Sequence, residues 1–216
     1  MVTIRKFEQS AILLTDSKTG QNFAFDFGVF SQAQIPVLPK LKAVFISHEH
    51  GDHYLYDNVI AMKSEKIFSA DEPHQDLTSK GVEAEKIKDN DVVGYGAIEV
   101  TAFEVDHGPI SKPISNLGFY IKIGDKNILF CGDMKVPGVV PDIHYDLTLI
   151  PVCGGEVIMN ADEALSFLSS LRHPGVVVPL HYHGQADPQS GAKFYDYASH
   201  KFDVKVLDVN DKLHLT

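Results

Sequence analysis

The sequence predicts an α/β fold in which two β-sheets pack face to face and helices cover the outside. Two observations carry that expectation. Strand-like runs dominate the first two-thirds of the chain, and strand–helix units occur in both halves. The early strands are VTIRKF, AILLT and NFAFDF, the last two joined by the turn-rich DSKTG. KAVFIS is a compact apolar strand that runs into His48, and a helix is expected from about His53 to Met62. Further strands follow at AIEVTAFEV, LGFYIKI, KNILFC and YDLTLIPV. Asn160 opens a helix. Its side chain can cap the first turn, Glu163 completes a capping-box pair, and Leu165, Leu168 and Leu171 form an apolar stripe. GVVVPL is a buried strand that ends at His181, AKFYDYASH reads as helical, and FDVKVLDV reads as a last strand.

Composition narrows the function classes. The 216 residues are expected to form one domain spanning 1–216, with 44% hydrophobic and 22% charged residues, as in ordinary globular proteins. A formal net charge of −10 argues against partnership with nucleic acid or an anionic membrane. MVTIRKFEQS lacks the apolar run of a signal peptide, and two cysteines cannot make a disulfide framework in a chain of this size. A cytoplasmic enzyme acting on a small-molecule substrate fits these bounds, and an oligomer is compatible with them.

The chemistry concentrates at SHEHGDHY, where three histidines and an aspartate fall within six residues. Taken alone, a His-x-His pair is no more than a surface coincidence. Here four apolar strands each deliver a ligand-type residue at or just past the C-terminal end: His48, His107, Asp133 and His181. On an extended segment His48 and His50 point the same way, while Asp52 and His53 can turn toward a second ion. Five imidazoles and two carboxylates suffice for two divalent cations. One would take His48, His50 and His107, the other Asp52, His53 and His181, with Asp133 bridging. Three ligands and a bridge leave room for water, the mark of a catalytic site. Imidazole and carboxylate without thiolate suit zinc first, then manganese or iron.

HEHGDH, a histidine after a later strand, GD, and a late histidine together resemble the metallo-β-lactamase superfamily. The likeness runs from FAFDFG to VVPLHYHG, most of the chain. It implies a four-layer αββα sandwich and metal-ligand roles for His48, His50, Asp52, His53, His107, Asp133 and His181. Asp26, in FAFDFG, matches the aspartate that supports the family's site from behind. DLTLIPVCGG, MNADEAL and VVVPLHYHG look most like the branch of small metal-dependent hydrolases that includes ascorbate-6-phosphate lactonase. The chain departs from the family at FEQSAILL, where Gln9 and Ser10 replace the usual Gly-His. No long insertion is present to form an RNA-gripping surface or a substrate lid. Cys131 and Cys153 are expected to be small core residues.

A divalent cation lowers the pKa of bound water to about 7, and two cations can hold that hydroxide against a polarised substrate oxygen. The expected activity is therefore metal-dependent hydrolysis of an ester, lactone or phosphoester. Asp52 and His183 are the candidate catalytic residues, since His183 lies two residues beyond His181 and shares its parity. Lys112, Lys135 and Tyr182 are further polar candidates on the surrounding loops, each expected at the solvated surface. Two alternatives use the same fold: a di-iron redox enzyme, and a nuclease or phosphodiesterase. The redox pattern resembles H-x-E-x-D-H with a carboxylate ligand at the second position, where this chain has His50.

Overall fold

In the computed structural model, described over residues 1–109, 112–182 and 189–216, fourteen strands form two sheets of seven. The first half of the chain supplies β1 (Val2–Lys6), β2 (Ile12–Asp16), β3 (Gln21–Phe25), β4 (Ala43–Ile46), β5 (Lys66–Ser69) and β6 (Glu85–Lys86). The second sheet follows with β7 (Val92–Tyr95), β8 (Ile98–Glu104), β9 (Leu117–Ile123), β10 (Lys126–Phe130), β11 (Leu147–Pro151), β12 (Val176–Leu180) and β13 (Asp203–Val204). Finally β14 (Lys212–Leu215) returns to the first sheet and pairs antiparallel with β1, setting Val2 opposite Leu215. The strand orders are β14-β1-β2-β3-β4-β5-β6 and β13-β12-β11-β10-β9-β8-β7.

Alternation along each strand builds the layers. In β4, Ala43 and Phe45 face the second sheet, while Val44 and Ile46 face outward under helices α1 (Tyr56–Met62) and α2 (Asp71–Ser79). All four are buried because both faces of the strand are covered. On the opposite side, Leu129, Ile150 and Val177 lie under α3 (Ala161–Ser170) and α4 (Ser190–Ala198). The sandwich centre is aromatic. Phe25 and Phe45 stack at 4.9 Å, Phe45 and Phe68 at 5.0 Å, and Phe25 meets Phe119 of the facing sheet at 5.9 Å. Burying one such ring stabilises the fold by about 1.5–3 kcal/mol. The four-layer α/β sandwich is thus the observed architecture.

Several boundaries differ from expectation. The helix expected from His53 begins only at Tyr56, because the His53 and Tyr54 N–H groups both donate to His50 O and Leu55 is extended. FDVKVLDV gives only the two-residue β13. Lys205 N–H still donates to Val177 O, after which the chain leaves the sheet edge. The strand nearest the C-terminus is instead β14, and β5, β6, β7 and α2 are further elements beyond those expected. Asn160 does form the capping box with Glu163, although Ala164, Phe167 and Leu168 make the buried face of α3, with Leu165 and Leu171 beside them. No helix among the described residues is long and apolar enough to cross a membrane.

One topological fact positions the site. Strand β9 is antiparallel to both β8 and β10, and β10, β11 and β12 are parallel, so β8, β10 and β12 end on one edge. His107, Asp133 and His181 all follow those ends, and the loop after β4 of the facing sheet meets them there.

Candidate metal centre

The loop from Ser47 to His53 is held by one buried carboxylate. Asp26, just past β3, accepts the Ser47 N–H at 2.8 Å, the Ser47 hydroxyl at 2.6 Å and His53 Nδ1–H at 2.8 Å. Its backbone is left-handed, φ 54°, which turns the side chain back toward the next strand. Beside it, a Cβ on Gly28 would collide with the Asp52 main chain, so only glycine allows this approach. Asn58 secures the same segment by donating to the Phe27 and Gly28 carbonyls at 3.0 and 2.7 Å.

The structure brings all seven proposed ligands together in two groups that share Asp133. His48, His50, His107 and Asp133 form one, and Asp52, His53, Asp133 and His181 the other, each with its ligand-type atoms within 4.8 Å of one another. Asp133 is buried with 2% exposure. Its Oδ1 lies 3.0 Å from His53 Nε2, and its Oδ2 lies 3.1, 3.4 and 3.6 Å from Nε2 of His181, His107 and His48. Asn116, buried in the sandwich, donates to the Asp133 carbonyl at 2.7 Å and fixes that turn.

Hydrogen-bond partners on the outer nitrogens set the tautomers. The Ser47 hydroxyl already donates to Asp26, so it accepts from His48 Nδ1–H at 2.9 Å. His53 Nδ1–H donates to Asp26, and His107 Nδ1–H to Val157 O at 2.9 Å. Each ring, in its neutral form, therefore presents the Nε2 lone pair to the centre. The Nε2 atoms of His48, His53 and His181 and Oδ1 of Asp133 are buried yet make no hydrogen bond of acceptable geometry. His107 Nε2 faces His50 Nδ1 at 3.0 Å, an arrangement of lone pairs that needs a cation or a proton between them. The residues fit divalent ions in both groups.

Charge coupling within the cluster is strong. Burial, with the neighbouring His53, pushes the His48 imidazole well below its ordinary pKa. Burial alone would raise the Asp133 carboxyl, but His181 and His53 outweigh it and hold it well below the usual range. For His53 burial opposes the charge, and Asp133 and Asp26 win, raising it to about 10. Asp133 and Asp52 likewise raise His181 against its burial. Protons and metal ions therefore compete for the same atoms.

Not every candidate falls in the centre. Lys135 is not at the solvated surface: it is tied to Gly155 O at 2.9 Å and Glu163 at 2.8 Å. Tyr182 donates to Leu207 O and packs its ring against Lys6 Nζ at 4.4 Å. Lys112 pairs with Glu49 at 3.0 Å. His183 lies outside the described residues. Cys131 is core, as expected, but Cys153 is only half-buried and its Sγ lies 3.2 Å from His181 Nδ1. Sequence reasoning also missed Asn116, Gly28 and the Val157 carbonyl, none of which carries a local signal. Next to His107 a cleft of about 500 Å³ opens between the loops after β8 and β10, lined by Val105, Pro109, Ile114, Val136 and Pro137.

Comparison with known proteins identifies the family and the fold. Residues 14–182 match the Beta-lactamase superfamily domain, and the chain belongs to that superfamily. Among solved structures, one from Veillonella parvula DSM 2008, named as a possible metal-dependent hydrolase, superposes with TM-score 0.77 at 16% identity over 100% of both chains. The isothiocyanate hydrolase from Delia radicum gut bacteria gives TM-score 0.75 at 16% identity over 99% of both. CmlA, a diiron beta-hydroxylase from Streptomyces venezuelae, gives 0.76 at 14% identity over 99% of this chain and 54% of its own, so this chain spans about half of CmlA. At these identities the likeness concerns the fold. No curated protein matches the chain in sequence.

Proposed function

We propose that this member of the superfamily is a cytoplasmic metal-dependent hydrolase that cleaves an ester or lactone bond in a small molecule. The observation that supports it is the pair of ligand groups sharing Asp133, with buried imidazole nitrogens bare toward the centre. His48, His50 and His107 would hold one ion, Asp52, His53 and His181 the other, and Asp133 both. Bound divalent ions supply Lewis acidity and bring a water's pKa to about 7. Asp52 is the more exposed of the two carboxylates, 21% against 2% for Asp133, which suits it to hold water at the mouth and take its proton. His183 is the proposed proton donor to the departing oxygen.

The cleft beside His107 is the proposed substrate seat. The two lysines on the neighbouring loops, Lys112 and Lys135, are engaged by Glu49 and Glu163. The branch that includes ascorbate-6-phosphate lactonase is the proposed kinship. Protein purified without chelator should carry close to two ions, mainly zinc or manganese. Reconstituted with zinc alone under anaerobic conditions, it should turn over members of an ester and lactone panel. Full activity without metal would overturn the proposal. Turnover only with iron, with oxygen consumed, would favour the redox alternative.

A further inference from the structure

We infer that Cys153 is a positioning residue that orients His181 toward the second ion. This rests on the proposed ligand role of His181. Every other imidazole that presents Nε2 to the centre is steered from behind by oxygen: Ser47 Oγ for His48, an Asp26 oxygen for His53, the Val157 carbonyl for His107. His181 alone, among the described residues of the cluster, is steered by sulfur, at 3.2 Å. Gly154 O, 3.8 Å from Sγ, can take the Cys153 thiol hydrogen, so a sulfur lone pair can accept His181 Nδ1–H. That fixes the tautomer in which Nε2 is bare, and Nε2 indeed lies 3.2 Å from Asp52 and 3.1 Å from Asp133.

The backbone gives His181 little other support. It is left-handed, φ 55°, a conformation that costs a residue bearing a Cβ, and its N–H reaches Gln9 O at 3.2 Å. A neutral thiol is a weak acceptor compared with a hydroxyl, carbonyl or carboxylate. The second ion is therefore the one whose hold depends on the softest contact in the site.

Chelator competition on the metal-loaded protein tests this by resolving the affinity of each metal equivalent. Cys153→Ala should weaken the second equivalent by ~10–100-fold, the range for partners that orient a ligand, and leave the first within about threefold. Cys153→Val fills the space left by the sulfur with apolar atoms that cannot accept and should not restore binding, whereas Cys153→Ser should stay closer to the parent. The reverse order, or both equivalents unchanged in Ala and Val, overturns the inference. His181→Ala serves as the parallel variant. Should it keep both equivalents, His181 is no ligand, and the inference falls together with the proposed second ligand set. Should it lose one while Cys153→Ala loses none, only the inference falls.

Discussion

The two sheets contribute to the metal centre in different ways. The first sheet supplies four ligands from a single stretch, His48 to His53, and one carboxylate, Asp26, holds that stretch at three points. The second sheet supplies three ligands from three separate loops, each with its own support: Val157 O for His107, Asn116 for Asp133, Cys153 for His181. A clustered motif is cheap to encode but has a single point of failure. Dispersed ligands fail one at a time, except where one of them is shared.

Asp133 is that exception and should give the largest effect. Its carboxylate can offer one oxygen to each ion, whereas an amide binds metal poorly and carries no charge. Asp133→Asn should lose at least one ion and lower activity by more than ~100-fold, beyond the range for supporting partners, with the fold intact. Elemental analysis and circular dichroism check it. A variant with both ions and normal turnover would remove Asp133 from the site.

Asp26→Asn probes the single clamp. Both ions should weaken together by ~10–100-fold, because Asp26 supports His53 directly and His48 through Ser47. Metal titration of each equivalent distinguishes this from the one-sided loss expected of Cys153→Ala. If Asp26→Asn also affects one ion only, the contrast between the sheets is wrong.

The smallest effect on the ions concerns Lys6, which is buried and whose ammonium lies over the ring of Tyr182, next to His181. Burial lowers its pKa to about 8. Between about 8 and its ordinary value of 10.5 the unfolded chain binds more protons than the folded one, so stability should rise with pH across that window. The gain is on the order of 3 kcal/mol at most. Lys6→Met should flatten the rise while changing metal affinity little, as denaturant melts across that pH range would show.

The same contrast explains what the sequence disclosed. Ligands of the first sheet are legible because they are contiguous, and Asp26 in FAFDFG is legible through the resemblance to the family. The second-sheet ligands could be read because each follows a strand-like run, continuous and buried toward the ends of β10 and β12 and alternating buried with exposed along β8. Their supports could not be. Asn116 meets Asp133 across 17 residues, and Cys153 meets His181 across 28, distances at which no local pattern operates. The start of α1 is illegible because the His50–Tyr54 turn is closed by bonds to His50 O that only the folded loop makes, and β14 is hidden because its partner β1 lies over two hundred residues away.

That last pairing has a consequence for how the molecule is made. Closing β14 on β1 joins residues 2 and 215, a loop whose closure costs on the order of 5 kcal/mol from the open chain and which the His181–Gln9 contact begins to close first. Contacts so distant in sequence form late in folding. At a synthesis rate of about 5–20 residues per second, the free edge of β1 waits roughly 10–40 s for its neighbour. Throughout that interval its N–H and C=O groups lie open to any other strand. A nascent chain halted after His181 would contain every proposed ligand and still carry that raw edge.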